Sequence, residues 1–63
     1  MNQDEITQRV GILIRDGREF FYARFGRCLL GSYDRSVVVD ALRMHEPKLA
    51  DWDKLPLEDI HFN

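Results

Sequence analysis

The dipeptide Asp16-Gly17 constrains this chain most. It stands between an apolar run, Val10–Arg15 (VGILIR), and an alternating one, Glu19–Phe25 (EFFYARF). Glycine tolerates the positive φ that a two-residue primed turn needs, so the two runs read as a β-hairpin. A second return at Gly26-Arg27 leads into a third strand, Cys28–Tyr33, with Gly31 as a bulge or twist point. Asp34 then offers an N-cap, and Arg35–Glu46 carry a helical period that Pro47 ends. Val38, Ala41, Leu42 and His45 form the stripe of a helix lying on a sheet, widened by Val37 and Met44.

This order predicts a small α+β domain, a three-stranded antiparallel sheet packed on one main α-helix. One domain spans residues 1–63, with 1–8 frayed and 47–63 an acidic C-terminal extension. Within the extension, Leu49 and Trp52 suit one short helical turn, and Asp59–Phe62 suit a fourth strand. Leu55, Leu57, Ile60 and Phe62 are apolar positions able to fold back over an edge or the core.

Alternation assigns the faces of the middle strand. Phe21, Ala23 and Phe25 share one side, and the small Ala23 lets a helix approach closely. Phe20, Tyr22 and Arg24 share the other, which the helix leaves open. In the first strand Val10, Ile12 and Ile14 lie on one side.

A chain of 63 residues with 44% apolar residues can build one modest core, burying roughly 60% of its unfolded surface. Cys28 is the only cysteine, so no internal disulfide forms, which fits a reducing compartment. No apolar run approaches the ~20 residues of a membrane span. The start, MNQDEITQRV, carries acids where a secretion signal has basic and apolar segments. The expectation is a soluble, cytoplasmic protein with no membrane partner.

The net charge of −2 hides a split. From Arg9 to Arg27 five arginines face Asp16 and Glu19, a balance of +3. From Met44 onward two lysines face Glu46, Asp51, Asp53, Glu58 and Asp59, a balance of −3. Such asymmetry points to a polar partner on one side.

Catalysis is not expected. Cys28, His45 and His61 lack the paired spacing of a structural metal site, so no metal or cofactor is expected. Nothing pairs Cys28 or Ser36 with a base, and the late acids do not match a calcium loop. His45 at a helix end complements the helix dipole or packs.

A binding role rests on the sheet. Strands can enter the DNA major groove as a helix does. Arg15, Arg18, Arg24 and Arg27 would then reach phosphates or guanine edges, while Phe20 and Tyr22 pack on sugars or thymine methyls. The same residue types also suit a protein interface, and covering of Phe20 and Tyr22 by the tail or by a second subunit in a homodimer stays open.

The stretch DGREFFYARFGRCLLGSYDRSVVVDALRMHE resembles the amino-terminal arm-binding domain of phage integrases and the related plant ethylene-response-factor domain. The likeness lies in the aromatics before Ala23-Arg24, the Gly26-Arg27 return, Leu30–Asp34 leading into the helix, and Ala41 within it. It covers about half the chain. The resemblance implies a three-stranded sheet whose exposed face enters the major groove, with Tyr22 and Arg24 central and Arg15, Arg18 and Arg27 beside them. Integrase arm domains are strongly basic and fused to a catalytic domain, whereas this chain is acidic. That difference supports a second expectation, a phage-encoded inhibitor of a host protein such as RNA polymerase or a defence nuclease. Its interface would be acidic, using Asp51, Trp52, Asp53, Glu58 and Asp59. Both expectations imply a phage or mobile-element origin.

Overall fold

A computed structural model describes residues 3–58. The elements run α1 (Gln3–Gln8), β1 (Gly11–Arg15), β2 (Arg18–Phe25), β3 (Cys28–Ser32), α2 (Arg35–Met44), a 3-10 turn (Glu46–Lys48) and α3 (Leu49–Trp52). The strands form one antiparallel sheet in the order β1-β2-β3, so the fold is a small α+β unit as expected.

Both returns follow from their residues. Asp16 and Gly17 have φ of 54° and 74°, the two consecutive positive values of a type I′ turn, and Arg15 pairs with Arg18 across it. Gly26 takes φ 65°, while Arg27 does not, which is the II′ pattern with glycine first. The β2–β3 register runs unbroken from Phe25↔Cys28 to Phe21↔Ser32. Gly31 is therefore not the bulge its sequence suggests; it keeps the pleat, and its missing side chain leaves room for the Phe20 ring.

Asp34 caps α2: its Oδ1 accepts from the Ser36 backbone N–H at 3.0 Å, satisfying a donor that the first turn leaves unpaired. The helix ends at Met44, where the His45 backbone N–H donates to Leu42 and Ala41 oxygens. Pro47 sits in the 3-10 turn that redirects the chain. α3 is the short turn expected around Leu49 and Trp52.

The core lies between the sheet and α2. Ala23, Val38, Val39, Leu42, Leu49 and Ile6 are buried together, with Val10, Phe21, Phe25 and Trp52 packed against them. Leu42 and Leu49 are fully enclosed, a burial that stabilises by about 1.5–3 kcal/mol each. Two expectations change here. Residues 1–8 are not wholly frayed, because α1 inserts Ile6 into this core. Val37 and Met44 do not widen the stripe; both are exposed, and Val39 is buried instead, because α2 lies over β2 and β3 with that side inward.

After α3 the chain is strapped to the sheet by arginines. Arg9 grips Asp53 through two hydrogen bonds of 3.0 and 2.7 Å. Arg24 donates to the Leu55 carbonyl. Arg27 pairs with Glu58 at 3.0 Å, and the Glu58 backbone N–H donates to the Arg27 carbonyl at 2.9 Å. The possible strand at Asp59–Phe62 lies outside the described residues.

The strap has a pH signature. Donation from Arg9 holds the Asp53 carboxyl below the usual carboxylate range, more strongly than partial burial raises it. A depressed folded pKa adds stability above the unfolded value of about 3.9, lost as pH falls through the lower folded value. The pair is half exposed, so the share is small. We expect the urea midpoint of Asp53→Asn to fall less than that of wild type between pH 7 and about pH 2.5. Equal acid losses would show that the pair contributes nothing.

Candidate nucleic-acid interface

The face of the sheet turned away from α2 is built by register. Cross-strand partners share a face, so Gly11, Leu13 and Arg15 of β1 join Arg18, Phe20, Tyr22 and Arg24 of β2, and Leu29 and Gly31 of β3. Three of these positions are arginine and none is a carboxylate. Glu19, the only acid within the strands, pairs with Ile14 on the helix side.

The centre of this face is a second, smaller apolar cluster. Phe20 was expected to be exposed; instead it is only 2% exposed. Its ring lies across Gly31, where an added Cβ would fall 2.5 Å from its Cε2. The Tyr33 ring meets it edge-on at 5.0 Å, and the Arg15 guanidinium stands 4.9 Å above it. The Arg18 guanidinium covers the Tyr33 ring at 4.3 Å. Phe20 is therefore a foundation for the arginines and cannot itself touch a sugar or base.

Aromatic support fixes two cations at the hairpin end. Each stacked guanidinium gains about 0.5–1 kcal/mol from the ring at an exposed site and keeps its in-plane N–H donors for another group. Among the described residues no carboxylate lies within ion-pair distance of Arg15 or Arg18. The near candidate, Asp16, instead accepts from the Tyr33 hydroxyl at 3.2 Å. Tyr33 was not counted as a site residue, although as the last residue of the expected strand Cys28–Tyr33 it shares the parity of Leu29 and Gly31 and so their face; in the structure β3 ends one residue before it, at Ser32.

The remaining expected residues divide. Tyr22 is half-buried, with its ring lying over Gly11. Arg24 points to the open face but is committed to its own chain, donating from Nε to the Gly26 carbonyl at 2.8 Å and from its far end to Leu55. Arg27 is exposed but paired with Glu58. Its distance from the hairpin end, at the opposite return of β2, separates it from Arg15 and Arg18.

The acidic set does not assemble into one free surface. Asp53 and Glu58 are each held by an arginine of the same chain. Trp52 is half-buried against Phe25 and His45, with ring centroids at 5.8 and 5.5 Å. Asp51 is exposed, and Asp59 lies outside the described residues. His45 is thus a packing residue as well as the cap of α2.

Among the described residues no cluster of three or more His, Cys, Asp or Glu side chains is placed to hold a metal ion. No described helix is long and apolar enough to cross a membrane. Comparison with family models, with curated proteins and with solved structures finds no match to this chain.

Proposed function

We propose that this chain is a non-enzymatic module that binds duplex DNA through the open face of its sheet. The observation that carries the reading is the charge of that face: three arginines, no carboxylate among its strand residues, and two of the arginines held on aromatic rings with no acidic partner among the described residues. Three strands at the usual spacing span about 10 Å, which suits a major groove about 12 Å wide. Arg15 and Arg18 at the hairpin end are the leading contacts, and Tyr22 lies along the same surface. Arg24 and Arg27 serve the strap first and flank the contact.

The chain's net negative charge sets the scale. Affinity for phosphate follows the few cations that reach it, so binding should be weak and steeply salt-dependent. Titrating a fluorescent duplex at about 50 mM salt should give a saturable signal. Arg15→Ala and Arg18→Ala should each reduce the slope of log K against log salt by about one unit. Arg35→Ala, on an exposed arginine of α2, should leave it unchanged. No binding at that salt, or equal losses at all three positions, would remove the assignment. Retention of one protein from a nuclease-treated lysate, with no duplex binding, would favour the inhibitor reading instead.

A further inference from the structure

The outer edge of β1 is unusual for a strand that ends a sheet. We infer that it pairs with the same edge of a second copy of this chain, antiparallel and centred on Leu13, so that two sheets join into one of six strands.

The backbone supplies the first argument. Across a two-residue turn the flanking pair is hydrogen-bonded, and hydrogen-bonded and open pairs then alternate. With Arg15↔Arg18 next to the turn, Leu13↔Phe20 and Gly11↔Tyr22 are bonded pairs. Ile12 and Ile14 therefore direct their N–H and C=O groups outward, along the free edge. The devices that keep an edge solitary, such as lysine, proline or a bulge, are absent from GILIR.

The side chains supply the second. Ile12 and Ile14 point to the α2 side of the sheet, but α2 lies over β2 and β3 and leaves them 56% and 69% exposed. A two-fold axis through Leu13 sets Ile12 opposite Ile14 of the other copy, and Ile14 opposite its Ile12. These are the residues whose outward backbone groups have no partner among the described residues, so both close into hydrogen-bonded rungs. Leu13 faces Leu13 of the other copy on the opposite side. The pattern Ile-Leu-Ile reads the same in both directions, which an isologous contact requires.

In this register Arg15 comes beside Gly11 of the other copy, over which that copy's Tyr22 ring lies. The hairpin end, where Arg15 and Arg18 stand with Asp16 and Glu19, then meets the end where Glu5 and Asp53 surround Arg9. The other edge of the sheet lacks these properties: Glu58 already donates to Arg27 at its start, and Gly31 and Ser32 offer little apolar surface.

Two five-residue strands side by side bury on the order of 1,000 Å² in total, the low end for a specific contact. An interface of that size belongs among the weak ones, so the dimer should form only at roughly tens of micromolar or above. The pairing uses the edge of the sheet and not its face, so it stands or falls independently of DNA binding.

Sedimentation equilibrium of the full chain up to about 500 μM should show a monomer–dimer equilibrium. Ile14→Lys, which replaces an exposed side chain and should leave the circular dichroism spectrum unchanged, should weaken it at least ~100-fold, since two isoleucines leave the contact. Met44→Lys, on an equally exposed position of α2, should not. Register is tested in a Cys28→Ser background. Leu13→Cys should oxidise to a covalent dimer because position 13 meets itself, and Ile12→Cys should not. A monomer at all concentrations, open-ended assembly, or equal cross-linking at positions 12 and 13 would overturn the inference.

Discussion

Gly31→Ala is expected to lower the unfolding free energy by about 2–3 kcal/mol, while Gly11→Ala should stay within about 1 kcal/mol of wild type. The two glycines occupy similar places, each under an aromatic ring of β2. What differs is the freedom of the obstacle. At Gly31 an added Cβ would lie 2.5 Å from Phe20 Cε2 and 2.6 Å from the Phe21 backbone oxygen. The ring is enclosed by Tyr33 and Arg15, and the carbonyl belongs to the β2–β3 ladder, so neither yields cheaply. At Gly11 the obstacle is the far end of Tyr22, at 2.3–2.7 Å. That half-buried side chain can swing outward, and the gain from a stiffer unfolded chain offsets part of the loss. A domain of this length commonly has about 3–9 kcal/mol in total, so the Gly31 change would remove a large share. Urea unfolding followed by circular dichroism measures both. If Gly31→Ala is as stable as wild type, Phe20 is not seated on Gly31.

Those glycines mark the limit of what sequence patterns reveal here. The hairpin, the Asp34 cap and the stop at Pro47 were legible because each is decided by local chemistry: a positive φ, an orphan N–H, a missing N–H. Alternation correctly set Phe21, Ala23 and Phe25 against α2 and turned Phe20, Tyr22 and Arg24 away. It assigns a face, however, and not a depth. Phe20 is buried because Tyr33 folds back from beyond β3 and Gly31 leaves room two strand-widths from Leu13, and both effects are non-local. Ile12 and Ile14 share the parity of the core yet stay exposed, because α2 is one helix wide and sits over the other two strands. α1 was invisible for the opposite reason. Six residues are too few to be helical alone, and it is the docking of Ile6 beside Leu42 and Leu49 that holds them. The arginine face was legible as composition. Its division into anchored and available arginines was not, since Arg24 meets its partner Leu55 31 residues away.

Phe20→Ala should separate the scaffold of the proposed interface from its contacts. Removing an enclosed phenylalanine costs about 3–5 kcal/mol, which in a domain of this size shifts the thermal midpoint by at least ~12 °C. The loss falls on the face opposite the main core, so it tests whether the second cluster is structural. Arg15 also loses the ring it stacks on and regains its side-chain freedom. At a temperature where the variant is still folded, its duplex affinity should therefore fall although no group that touches phosphate has been removed. Phe20→Leu distinguishes the two effects. Leucine keeps most of the apolar volume and should recover stability to within roughly 1.5 kcal/mol, but it has no π face for Arg15. The leucine variant should be nearly as stable as wild type and still bind a few-fold less tightly, consistent with about 0.5–1 kcal/mol for one stacked guanidinium. Its salt slope should be unchanged, because the number of cations is unchanged. A Phe20→Ala protein within about 1 kcal/mol of wild type would mean the ring is not enclosed, and the account of Phe20 as the foundation of the arginine face would fail with it.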